Sequence, residues 1–298
     1  MTSEQRTAAL IAEPGLEAAA TAADRKRGLL LALPAYVYLL LFFVLPFLIV
    51  FVYSFATRSA TGATRLSDWN LLAYQKLFDS LVVQIVWRSF WIASLTTIIC
   101  LVMAYPFAYY IATRRPAVRN VLLVLVMIPF WSNFLIRTYA WRFILGTDGP
   151  IATLTDALGM EPVRLLFTNA AVMIGLVYGF LPFMVLPLYA AIERLDWSLV
   201  EAARDLYASG WSAFRKVTLP LTRSGIIAGS LLVFVPSFGA YVTPAILGGS
   251  KDLLLGSYIV TQFQQARNWP FGSALSIVVM VFMLAALMIR ARTGAEEV

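Results

Sequence analysis

The chain has 298 residues, 60% of them apolar and only 13% charged, with a mean hydropathy of +0.79. Soluble domains carry about 45–50% apolar and about 25% charged residues, so this is the composition of an integral membrane protein. There is no His, and Cys100 is the only cysteine, which excludes a His-based catalytic or metal site and an intrachain disulfide. The net charge of +7 comes from basic residues that flank apolar runs, which makes them topology signals and not a nucleic-acid footprint.

Residues 1–27 are rich in Ala, Thr and Glu and end on Arg25-Lys26-Arg27, which predicts a disordered cytoplasmic tail. The apolar run that follows is far longer than the roughly 7–15 residues of a signal-peptide core. A spanning helix needs about 20 mostly apolar residues. Segments 29–56, 90–112, 121–145, 170–192, 225–247 and 271–289 meet that requirement, so residues 28–298 are expected to form an all-α domain of six transmembrane helices. With a cytoplasmic N-terminus, 14 Lys or Arg fall inside and 7 outside, leaving Arg137 and Arg142 in the third span. That excess places both termini, and segment 193–223, in the cytoplasm. Arg137, read along a straight third helix, sits near the outer edge of the bilayer, where it and Arg142 would snorkel to the interface. The spans also hold Pro34, Pro46, Pro106, Pro129, Pro182, Pro187, Pro236 and Pro244. Backbone groups freed by such breaks need internal partners or a water-lined cavity, so the breaks fit either a translocation path or kinks that pack a bundle.

Segment 193–223 reads ERLDWSLVEAARDLYASGWSAFRKVTLPLTR, a polar, basic connection set between long apolar runs. Ser198 through Glu201 fit a capping box with Ser198 at the N-cap. Leu199, Val200, Ala203, Leu206 and Tyr207 then recur at helical spacing. A break is expected at Ser209-Gly210, with Ser209 capping a second short helix through Trp211, Phe214 and Val217 that Pro220 ends. Such a pair could lie on the membrane surface as an amphipathic hairpin or seat in a protein groove. Small Ala202 and Ala203 favour the groove.

The same segment resembles the EAA loop of ABC importer permeases. The family pattern is EAA, three residues, Gly, nine residues, Ile, one residue and Leu-Pro. Here Glu201-Ala202-Ala203, Tyr207, Val217 and Leu219-Pro220 stand at those spacings, with Tyr in place of the Gly. The stretches PFWSNFLIRTYAWRFIL (129–145), GLVYGFLPFMVLPLYAAIERLD (175–196), DLYAS (205–209) and NWPFGSALS (268–276) look like the B-type spermidine/putrescine permeases. The resemblance implies a type I ABC importer permease of MetI-like fold in the bacterial inner membrane. It implies docking of an ATPase dimer through Glu201, Ala202, Ala203, Asp205, Gly210, Leu219 and Pro220. It also implies a homologous second permease, a periplasmic solute-binding protein, and ATP and Mg held by the ATPase and not by this chain. The sequence agrees in having no G-x-x-x-x-G-K-[ST] motif to cradle a nucleotide, so the chain itself is not expected to be an enzyme.

The solute implied is a polyamine, with an opine or another amine as the alternative. The spans contain no carboxylate, while aromatic faces can hold an ammonium group at roughly 0.5–2 kcal/mol each. Trp131, Asn133, Tyr139, Phe238 and Tyr241 are therefore the candidate path residues, Asn133 because an amide within a span rarely faces lipid. Ordinary packing or lipid contact would place the same aromatics equally well. A self-powered secondary carrier would need a coupling-ion site, usually an intramembrane carboxylate, and no folded cytoplasmic loop.

Overall fold

The computed structural model describes residues 31–59, 62–66, 68–159, 161, 164–249 and 253–295, and the expected tail at 1–27 lies outside them. Helix α1 (Leu31–Tyr53) is strongly apolar, and none of its residues is buried by the rest of the chain. It widens into a π turn at Leu40–Val44, just ahead of Pro46. A proline lacks the N–H and crowds the carbonyl four residues back, and a local π turn relieves both defects without breaking the helix.

After a short hairpin of β1 (Thr57–Arg58) and β2 (Thr64–Arg65), the chain enters α2 (Ser80–Ala112). This helix is ten residues longer than the expected second span. Its 33 residues extend about 50 Å at 1.5 Å each, against a hydrocarbon core of about 30 Å. The third expected span is not one helix: α3 (Pro116–Trp131) and α4 (Phe134–Ile144) meet at 88°. Hydropathy sums apolar residues without regard to direction, so 121–145 scored as one rod. Pro129 and the extended backbone at Ser132 and Asn133 end α3 instead.

Beyond α5 (Pro150–Ala157), α6 (Asn169–Glu193) returns across the bundle as expected. The polar connection at 193–223 forms α7 (Trp197–Asp205) and α8 (Gly210–Leu221). Then α9 (Arg223–Phe238) follows α8 at 66°. The fifth expected span also divides, because α9 stops before Gly239 and α10 (Val242–Leu247) starts afresh. Helices α11 (Leu255–Gln264) and α12 (Trp269–Ala295) complete the described chain. Among the described residues four helices are long and apolar enough to cross a membrane, and the number reaches six if each bent pair, α3–α4 and α8–α9, counts as one span.

Helices α2, α6 and α9 form the central packing unit. Cys100, Ala104, Ala108 and Ile111 of α2 meet Met184, Val185, Leu188 and Ile192 of α6 and Val233 of α9. Small residues set how closely these helices approach, as in membrane bundles generally. A Cβ on Gly225 would lie 2.5 Å from the Ala191 Cβ and 2.8 Å from the Pro187 carbonyl oxygen, and one on Gly229 would lie 2.7 Å from the Met184 sulfur. Near the start of α2, the buried Ser89 hydroxyl donates to the Ile85 carbonyl and accepts from the Leu255 N–H, each at 2.8 Å, which pins α11 to α2.

Candidate coupling hairpin and membrane-face residues

The polar hairpin begins at Asp196, whose backbone is extended and whose Oδ1 accepts from the Ser198 N–H at 3.0 Å. Hydrogen bonds from the Ser198 hydroxyl and backbone hold this carboxyl below the usual carboxylate range. The expected capping box does not form, and the cap lies two residues earlier, at Asp196. Ser198 is the second helical residue, and Glu201 lies in the helix interior and caps nothing.

The break after α7 also differs from expectation. Tyr207 takes a left-handed conformation at φ 61°. Its N–H bonds to the Arg204 carbonyl at 2.9 Å, and the Ala208 N–H bonds to the Ala203 carbonyl at 3.1 Å. This is a Schellman cap, in which the left-handed residue is usually Gly. The position that is Gly in the resembled pattern is left-handed here, and Tyr occupies it at a backbone cost of roughly 1–2 kcal/mol. Gly210, expected to make the break, instead opens α8, where a Cβ would meet nothing within 4 Å. Ser209 caps α8 as anticipated, accepting from the Ser212 N–H at 3.2 Å.

Pro220 does not end the second helix. A π turn at Phe214–Thr218, closed by the Leu219 N–H on the Phe214 carbonyl, carries α8 through the proline to Leu221. The bend follows at Thr222. Inside the hairpin, Leu195, Val200 and Ala213 are buried, with Ala203, Ala208, Trp197 and Val217 packed around them. The two alanines of the motif therefore divide: Ala203 faces the hairpin's own interior, while Ala202, Glu201 and Asp205 face outward. Leu206, Tyr207 and Trp211 form an exposed apolar tip.

Two tyrosines of α2 fix the hairpin to the membrane helices, and an ion pair ties α3 to α6 beside it. The Thr222 hydroxyl donates to the Thr218 carbonyl at 2.9 Å, which leaves Tyr105 as the donor in its buried 2.8 Å bond to Thr222. Tyr105 also meets Phe214 edge-on at 5.4 Å, and four residues further along α2 Tyr109 meets Trp197 at 5.7 Å. Arg119 at the start of α3 pairs with Glu193 at the end of α6 at 2.6 Å. Sequence reasoning passed over Tyr105 and Tyr109. Their only signal was a pair of tyrosines one turn apart at the inner end of a span.

The membrane-face candidates separate into two kinds. Asn133 caps α4, its Oδ1 accepting from the Leu135 N–H at 2.8 Å. Trp131 ends α3 on the other side of the same break and is 80% exposed. Tyr139 on α4 is also exposed. Tyr241, partly exposed, lies in the matching break between α9 and α10, and α10 packs against α4. Phe238, by contrast, is buried among Val82, Ile85, Ala93, Leu255, Phe271 and Leu275, so its ring offers no open face here.

Arg137 departs from the snorkelling expected of it. The 88° turn carries it back against the bundle, with its guanidinium carbon 5.3 Å from the centre of the Phe130 ring, 5.9 Å from Phe134 and 6.0 Å from Tyr178. Its Nε and one terminal nitrogen are buried without a hydrogen-bond partner among the described residues. Arg142 stays exposed, with its guanidinium 5.9 Å from the Phe167 ring.

Residues 104–293 match the family model of the binding-protein-dependent transport system inner membrane component. The spermidine/putrescine transport system permease protein PotB of Haemophilus influenzae is 46% identical over 86% of this chain and 90% of its own length. PotB of Escherichia coli K12 is 43% identical over 85% and 92%. A bacterial ABC transporter involved in import of the acidic polysaccharide alginate has a chain with TM-score 0.69 at 18% identity, covering 90% of this chain and 97% of its own. That likeness bears on the fold alone.

Proposed function

This chain belongs to the family of binding-protein-dependent transport inner membrane components, and on that premise we propose that it is the polyamine-importing permease subunit of an ABC transporter. It is a multi-pass inner membrane protein of a transport family and not of an enzyme family. The observation that carries the polyamine reading is the 42–46% identity to spermidine/putrescine permeases over 85–86% of the chain. In this reading a periplasmic binding protein delivers the solute, a second permease completes the path, and a pair of ATPase subunits holds ATP and Mg beneath them.

The hairpin supplies the mechanical link. Its outward face (Glu201, Ala202, Asp205 and the tip at Leu206 and Tyr207) seats on the ATPase. Tyr105 and Tyr109 then pass its displacement to α2. Because Tyr105 grips Thr222 at the bend between α8 and α9, rocking of the hairpin swings α9 against the central unit. The two broken segments, α3–α4 and α9–α10, supply the path wall, with Trp131, Asn133, Tyr139 and Tyr241 facing the passing ammonium groups. No carboxylate is required, so the cargo meets no deep charge trap on its way through.

Reconstituting the permease pair with its ATPase and binding protein tests the solute: spermidine or putrescine should raise ATP hydrolysis, and a neutral or acidic solute should not. Stimulation by another class of solute alone would overturn the polyamine reading. Tyr241→Ala, with assembly intact, should slow diamine uptake, and unchanged uptake would return the ring to packing. For orientation, cysteines introduced at Ala63 or Gly159 should react with an impermeant reagent from outside, and those at Arg115 or Ala208 should not. The reverse pattern would remove the hairpin from the ATPase side.

A further inference from the structure

We infer that the Tyr207 ring is itself an anchor that inserts into an apolar pocket of the ATPase subunit, an inference that rests on the docking role proposed above for the hairpin. The position is left-handed, where glycine costs least and a β-substituted residue is disfavoured. Tyr207 is 99% exposed, and its phenol has no hydrogen bond or ring contact among the described residues. The two cap hydrogen bonds hold the turn, but they would form with Gly as well, so the ring itself gains nothing within the described chain and is left free for a contact outside it.

The surroundings say what kind of contact. Leu206 is 82% exposed and Trp211 71%, so the ring stands within an apolar tip. Trp211 is held in place by stacking on Phe214 at 5.4 Å and 26°. A rigid aromatic group ringed by apolar contacts is the usual make-up of a protein-interface anchor. Glu201, Arg204 and Asp205 are exposed on the helix that leads to the turn, so charges of both signs border the apolar tip, as the polar rim of a protein interface does. The occupant that fits is a protein pocket with an apolar floor and a polar rim.

The test measures the affinity of the copurified ATPase for the permease pair in nanodiscs, alongside the melting temperature of the pair alone. Tyr207→Gly and Tyr207→Asn both tolerate the left-handed turn and remove the ring. Each should leave the melting temperature equal or higher and raise Kd by about fivefold or more, as loss of an interface anchor does. A smaller rise in either variant overturns the inference. Ala202→Trp distinguishes this failure from that of the docking role. If Ala202→Trp releases the ATPase and the Tyr207 variants do not, only the anchor is wrong. If all three bind as wild type, the hairpin is not the docking surface, and the anchor falls with it.

Discussion

The hairpin at 193–223 and the bend at 129–145 both interrupt a transmembrane course, but their sequences carry that information in different forms. The hairpin is polar, so its existence, its two short helices and its spacing to the EAA pattern are legible residue by residue. The bend is apolar throughout apart from Ser132, Asn133, Thr138 and the two arginines, and a hydropathy window passes straight over it. Hydropathy reports how much apolar surface a segment holds and is blind to the axis along which that surface runs. A cap reports direction, and in both regions the decisive caps, Asp196 and Asn133, are short polar side chains that accept from a backbone N–H two residues on.

The largest effect that would break this comparison lies in the two alanines of the motif. Ala202→Trp should overfill the ATPase contact at roughly 1–3 kcal/mol and weaken docking by about five- to a hundredfold, leaving the isolated permease equally stable. Ala203→Trp should damage the hairpin itself, because Ala203 packs toward Val200 and Ala213. Docking and the protection of residues 197–218 from hydrogen exchange should then fall together. Equal behaviour of the two variants would mean that the division into inner and outer faces is wrong.

Asn133→Leu should cost about 1 kcal/mol by removing the cap of α4, while Asn133→Asp should keep it. Melting temperature reports the cap and diamine uptake reports the path. If Asn133→Leu melts with the wild type, the bend is held by Pro129 and packing alone. Tyr105→Phe removes one buried hydrogen bond at the Thr222 bend and should cost about 1 kcal/mol, with its ring contact to Phe214 retained. If Tyr105 transmits motion, ATP hydrolysis in this variant should continue while uptake per ATP falls. A parallel fall in both would make the bond merely structural.

The smallest effect concerns the start of α7. Glu201→Ala should leave the helix intact, since Glu201 caps nothing, so any loss of docking would report direct contact with the ATPase. Asp196 is the cap, and its carboxyl is held below the usual range. A depressed folded value stabilises above the unfolded value of 3.8 and is lost as pH falls through the lower folded one. Hydrogen exchange at residues 197–199 should thus quicken below about pH 4 in the wild type, while Asp196→Ala should exchange fast at every pH. Slow exchange in Asp196→Ala at neutral pH would remove Asp196 as the cap.

Composition, the count of apolar runs and the EAA spacing were enough to identify a membrane-spanning all-α permease, because burial in lipid demands long apolar helices whatever their arrangement. They also located the hairpin, since Ser209 and the Glu201-Ala202-Ala203 set stand out from apolar surroundings. The tertiary structure alone decided which way Ala203 faces, that Phe238 is packed in the core, and that Tyr207 and not Gly210 makes the turn. It also decided that Arg137 lies within a ring of aromatic side chains. Each of these depends on where a helix axis points after a break. That direction is set by packing between segments distant in sequence, such as α10 on α4 and Tyr105 on Thr222, which no local pattern records.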